Sequence, residues 1–216
     1  MDLIQLITRV TPKFHDIKKD VEQLRLANPQ LKPHDLSKLF IRKIRNKYTS
    51  VGVATALPGI IPGLGTAAQV AVEAGSISAD VAFMLRWMAV ICYGSAHIYG
   101  RNIENDFEAE FATVLGIWCE IVVPEKAALR AGDKLSVKHF DKHLWAKISN
   151  RMNQKIGRKL LTKYGTKRGG VSLGRLIPFG IGAAVGGAFN YTTMQKFGNA
   201  ADDYFKSSGQ EYVVIE

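Results

Sequence analysis

The chain has 216 residues, with 29 Lys and Arg against 19 Asp and Glu, a net charge of +10, and a hydrophobic fraction of 47%. Its mean hydropathy of −0.01 excludes a polytopic membrane protein and fits one globular domain, two at most, with ample core. The cationic surplus predicts a polyanionic partner: nucleic acid, an anionic membrane or an acidic protein.

The helical period dominates from the start. Phe14, Ile17, Val21 and Leu24 recur at three and four after Thr11–Pro12, a good cap and first-turn pair. The stretch NPQLKP (Asn28 to Pro33) stops that helix. Leu36, Leu39, Phe40 and Ile44 make the next stripe, with Lys38, Arg42, Lys43, Arg45 and Lys47 around it. ALPGIIPGLG (Ala56 to Gly65) is a break, and a long helix or helical hairpin follows to Tyr99. YGRNIEND (Tyr99 to Asp106) is a turn, and Glu104 to Val123 is predicted helical, ended by Pro124. Val137, Phe140, Leu144, Ile148 and Met152 predict a basic amphipathic helix over 135–164. After a loop at 164–174 the chain is predicted helical again to about Phe205, and the tail EYVVIE is a short strand or a frayed end. With strand signals almost absent, the predicted fold is all-α: a multi-helix bundle with glycine-rich central and C-terminal hairpins. The predicted organisation is an N-terminal extension over 1–35, a helical domain over 36–206 and a tail over 207–216.

Charge divides the chain. Residues 126–175 hold 14 basic and 2 acidic side chains, whereas residues 51–125 hold 2 and 8. Cys92 and Cys119 stand far apart, outside metal or redox spacing, which predicts free thiols in a reducing compartment. MDLIQLITRV reads as a poor signal peptide, so the expected location is cytoplasmic, peripheral at the inner face of the membrane.

Two small-residue segments carry a family resemblance. Ala56 to Gly94 has a Pro/Gly-rich turn, a small-residue helix with embedded acids, and an apolar helix ending in Tyr-Gly. Leu176 to Phe205 has a proline, a glycine-rich helix, an asparagine, and a helix with Ala-Ala and an aromatic. These resemble the central and C-terminal parts of the EcsC family, and the resemblance spans roughly residues 40–206. It implies a helical, membrane-associated protein and supplies no catalytic residues.

The candidate sites follow from residue type. Lys138, Lys142, Lys147, Arg151, Lys155, Arg158, Lys159, Lys163, Lys167 and Arg168 recur through the basic block, with Phe140, Leu144, Trp145 and Ile148 between them. Basic residues opposite Trp and Phe suit an anionic membrane surface, and the same cations suit nucleic-acid phosphates. Glu73, Asp80 and Arg86 interrupt an apolar helix and, with Asn190, form a candidate buried polar site whose plain alternative is a structural ion pair or a solvated stripe. Gly182, Gly186 and Gly187 are candidate helix-packing positions. Leu176 to Gln195 carries no charge, but its fully apolar part is nearer a core helix or interfacial hairpin in length than a span. His139 and His143 have metal spacing without a third ligand or a general-base Glu, so no metal is assigned. GLGTAA (Gly63 to Ala68) lacks a preceding strand, and Ser95 lacks the nucleophile-elbow pattern, so no cofactor or catalytic triad is assigned. The leading reading is a non-enzymatic helical protein that docks on anionic membranes, with inserting hairpins or regulation of a membrane-protein partner as variants. A nucleic-acid binder using 126–175 and an enzyme with a site near Glu73, Asp80 and Arg86 stand as the alternatives.

Overall fold

The computed structural model describes residues 11–54, 79–125, 135–136, 148, 150–151, 179–207 and 211–215. Of this described chain 75% is helical, so the described part is mostly α. Its helices are α1 (Phe14–Ala27), α2 (Pro33–Ala54), α3 (Ala79–Ile98), α4 (Phe107–Trp118) and α5 (Phe179–Lys206). Three short strands, β1 (Val122–Pro124), β2 (Leu135–Ser136) and β3 (Tyr212–Ile215), complete it.

The spacing of apolar residues explains the helices. Ile17 and Val21 are buried on α1, with Phe14 and Leu24 packed beside them. The expected Thr11–Pro12 cap falls too early: Lys13 occupies the cap position and makes no side-chain cap bond. Helix α2 begins on Pro33, whose missing N–H has no partner to lose in a first turn. Its Leu36, Phe40, Ile41, Ile44 and Tyr48 are all buried. Each such side chain contributes roughly 1.5–3 kcal/mol by leaving water.

Helices α2, α3 and α5 pack on one another and form the centre. His34 meets Asp202, and Arg45 reaches Gln195 and Tyr191, so α2 and α5 run antiparallel. Phe40 lies on Gly94, and the Tyr48 ring packs tilted against Phe83 with ring centroids 5.5 Å apart, so α2 and α3 are antiparallel too. Two adjacent residues of α2 thus lean on two different helices: Phe40 on Gly94 of α3, and Ile41 on Gly198 of α5. A methyl group at either glycine would overlap the facing side chain. Helix α1 lies along α3, and an aromatic seam joins the elements. Phe14 stacks on Tyr93 at 4.4 Å, Phe107 on Phe111 at 5.6 Å, and Phe111 meets Phe197 edge-on at 6.0 Å.

Where a helix was expected to run through Val123, α4 stops at Trp118. Glu120 adopts φ 62°, and the Glu120 and Ile121 amides donate to the Ile117 and Gly116 carbonyls at 3.0 and 2.9 Å. This is a Schellman stop with a glutamate in the left-handed position. The freed Val122 and Val123 pair antiparallel with Val214 and Val213, and Leu135 pairs with Ile215. The tail therefore forms the central strand of a sheet ordered β1-β3-β2. Pro124 is tolerated at the end of an edge strand. Leu135 and Ser136, expected to open a basic helix, belong to β2 instead.

Helix α5 is one continuous element of 28 residues, about 42 Å long at 1.5 Å per residue. No helix among the described residues is long and apolar enough to cross a membrane. The central glycine-rich segment, residues 55–78, and the chain that would pair with α5 in a hairpin lie outside the described residues.

Candidate functional site

The 3.6-residue period that buries one side of α2 turns its cations outward. Lys38, Arg42, Lys43 and Lys47 are all exposed, while Leu36, Phe40, Ile44 and Tyr48 face the core. The acid of this helix, Asp35, sits in the first turn, where the helix dipole favours it. Lys38, Arg42 and Lys43 form no ion pair among the described residues. The result is an outward face of one sign.

Arg45 differs from its neighbours. It is only 8% exposed and has no carboxylate partner among the described residues. Its guanidinium donates to Asn46 Oδ1 at 3.0 and 3.2 Å and to Gln195 Oε1, and lies 3.9 Å above the Tyr191 ring. Neutral acceptors and a π-face hold the charge without cancelling it. Two residues nearer the end of α2, and about 200° round the helix, Lys47 lies 5.5 Å above the Trp87 ring, and Tyr48 and Phe83 adjoin that ring. The positive face therefore ends in a group of cations and aromatics.

The basic block after residue 125 is described at few positions. Arg151, predicted as a polyanion contact, is helical and exposed, and Ile148 is buried beside α4. Lys138, Lys142, Lys147, Lys155, Arg158, Lys159, Lys163, Lys167 and Arg168 lie outside the described residues, as do His139 and His143.

The candidate polar site is only partly described. Glu73 lies outside the described residues; Asp80 falls in the first turn of α3; Arg86 and Asn190 are half-buried on α3 and α5. The Arg86 and Asn190 side chains make no hydrogen bond or ion pair among the described residues. Gly182, Gly186 and Gly187 belong to the first half of α5. The close helix approaches seen among the described residues use Gly94 and Gly198, which small-residue spacing alone did not single out.

Buried polar groups cluster elsewhere. Asp202 is 3% exposed, accepts the Tyr99 hydroxyl at 2.7 Å and faces His34 Nδ1 at 2.8 Å. Burial and this carboxylate push the Tyr99 phenol well above its ordinary value of 10.0. Tyr93 donates to Glu104 at 2.6 Å, and Lys18 pairs with the same carboxylate at 2.6 Å. Burial, then Glu104, raises the Tyr93 phenol, while Lys18 and Tyr93 hold Glu104 below its usual range. Arg101 bonds Glu110 at 3.3 Å and spans the Tyr204 and Phe205 rings. His97, in the last turn of α3, is partly buried 3.2 Å from Glu22. These are interlocks between elements. Their signal was absent from sequence spacing, because partners such as His34 and Asp202, or Tyr99 and Asp202, lie far apart along the chain.

Among the described residues, Ser37, Ser95 and Cys92 are not activated as nucleophiles. The Ser37 and Ser95 hydroxyls are buried without a hydrogen-bond partner, so no base addresses them. The Cys92 thiol is buried, and its surroundings push it up, away from the thiolate. Among the described residues no group of three or more His, Cys, Asp or Glu is placed to hold a metal. No protein-family model, curated protein or solved structure matches the chain.

Proposed function

We propose that this is a non-enzymatic helical protein that docks peripherally on anionic membranes. The observation that carries the reading is the one-signed outward face of α2, where Lys38, Arg42 and Lys43 stand exposed with no internal ion pair among the described residues. The net +12 of residues 126–175 adds a second cationic block, and exposed Arg151 beside buried Ile148 fits a helix that turns its charge outward. Each cation held near an anionic leaflet contributes about 1 kcal/mol, so several together localise a protein. The resemblance to the EcsC family supports the same association, and docking at the cytoplasmic face follows from the anionic lipids expected there. Insertion of glycine-rich segments, or control of a membrane-protein partner, extends the proposal.

Flotation of the purified protein with neutral and anionic vesicles, at low and high salt, tests it. Binding to anionic vesicles alone, lost in salt, is the expected result. Binding that resists salt and carbonate would mean insertion. Absence from both vesicle types would sink the membrane reading and move nucleic-acid phosphates or an acidic protein to the front.

A further inference from the structure

The seam between α2 and α5 is rich in hydrogen-bond donors and short of acceptors. An arginine guanidinium has five N–H groups and accepts nothing. Arg45 commits Nε and Nη2 to Asn46 Oδ1, and Nη1 to Gln195 Oε1. That last contact fixes the polarity of the amides beyond it. Gln195 turns its oxygen to Arg45, so its Nε2 is left to donate, and it donates to Asn199 Oδ1 at 2.8 Å. Asn199 in turn gives its oxygen to Gln195 and keeps its Nδ2 amide free to donate. Every acceptor along this chain therefore already faces a donor. One N–H on each of Arg45 Nη1 and Nη2, the second N–H of Gln195 and the Nδ2 group of Asn199 have no acceptor among the described residues. The Tyr191 hydroxyl, beside them, makes no hydrogen bond there either.

Charge points the same way. A cation as nearly buried as Arg45 is costly to hold without a countercharge, and neutral amides do not supply one. Lys38 and Arg42, exposed on the same stripe of α2, add positive charge beside it. The nearest acids in sequence, Asp35 on α2 and Asp202 and Asp203 on α5, lie towards the opposite end of this antiparallel seam, where Asp202 is already held by His34 and Tyr99. Tyr191 and Asn199 are exposed, so the leftover donors adjoin solvent. A preorganised guanidinium edged by amide N–H groups suits an anion with several oxygens, and phosphate accepts more such bonds than a carboxylate does. We propose that the Arg45–Gln195–Asn199 seam is a phosphate site, filled by the phosphate of an anionic lipid headgroup or by free phosphate. The site needs only the anion, so it goes beyond the membrane reading above and does not stand or fall with it.

Inorganic phosphate is the first probe. The Tm of the full chain is compared in phosphate and in chloride of equal ionic strength, for the parent and two variants. Gln195→Glu sets a carboxylate of nearly the same shape on Arg45 and so supplies the countercharge from within. Lys43→Gln removes the same unit of charge from an exposed position about 200° round α2 from Arg45. Phosphate is expected to raise the Tm of the parent and of Lys43→Gln by about 2 °C or more, and to leave Gln195→Glu unmoved. In chloride, Gln195→Glu is expected to be at least as stable as the parent. No rise in the parent, an equal rise in Gln195→Glu, or a Gln195→Glu protein less stable than the parent in chloride overturns the site. Flotation on phosphatidylcholine vesicles containing phosphatidic acid then separates the sources. With a lipid headgroup as the source, Gln195→Glu loses about fivefold more vesicle affinity than Lys43→Gln. Equal losses alongside the Tm effect assign free phosphate. The Tm effect without any flotation also assigns free phosphate, and it sinks the membrane reading alone. Flotation without the Tm effect sinks the seam site and leaves the membrane reading standing.

Discussion

Gly94 and Gly198 receive the two adjacent side chains Phe40 and Ile41, which lock α2 against both of its neighbours. Alanine is the better helix former by about 1 kcal/mol, so an exposed helical glycine gains stability on that change. Here the added methyl overlaps a buried ring or a β-branched chain, and overpacking costs about 1–3 kcal/mol. The facing side chains are almost fully buried and have little room to retreat. Gly94→Ala and Gly198→Ala are therefore expected to be destabilising by up to about 2 kcal/mol net, read as a lower urea midpoint at unchanged slope. The double variant Gly94→Ala, Phe40→Leu should recover part of the loss, since it removes the ring that the methyl meets. A neutral or stabilising Gly198→Ala would mean that α2 and α5 do not approach as closely as this.

At the scale of elements, Asp202 joins three parts of the chain: the start of α2 through His34, the end of α3 through Tyr99, and α5 itself. Tyr99→Phe removes one hydrogen bond and leaves a buried carboxylate oxygen short of a donor. The expected cost is about 1–3 kcal/mol, and a urea midpoint matching the parent would refute the interlock. Asp202 was not legible in the sequence, and neither were Glu104 and Arg101, because a helical period reports which side of an element is wet, not what it touches. The same period placed Ile17, Val21, Phe40 and Ile44 inside and Lys38, Arg42 and Lys43 outside. The sheet escaped for a related reason. Val122 and Val123 follow a helix without interruption in composition, and their partners Val214 and Val213 lie at the far end of the chain. The outward cations of α2 were visible as a pattern; the Arg45–Tyr191 and Lys47–Trp87 pairs that end it needed the antiparallel register of three helices.

For the molecule as a whole, these buried protons couple folding to alkaline pH. The Tyr93, Tyr99 and Tyr204 phenols and the Cys92 thiol are all held above their ordinary values, chiefly by burial. Neighbouring carboxylates add to it: Glu104 at Tyr93, Asp202 at Tyr99, and Glu110 at Tyr204 and Cys92. In the unfolded chain the thiol ionises near 9.0 and the phenols near 10.0. Above those values the folded protein retains protons that the unfolded one has released, and stability falls wherever the native state binds more protons. The contribution is fully present below about pH 9 and declines as pH rises through about 9 to 10 and beyond. Urea midpoints measured at about pH 8 and at about pH 10.5 are expected to drop, with unfolding releasing as many as four protons, one for each group. Tyr99→Phe should lower that slope by the share of one phenol even though it also lowers stability at neutral pH, which separates the proton effect from the lost hydrogen bond. Midpoints that stay level across this range would show that the phenols reach solvent and that the interlocks open before the fold does.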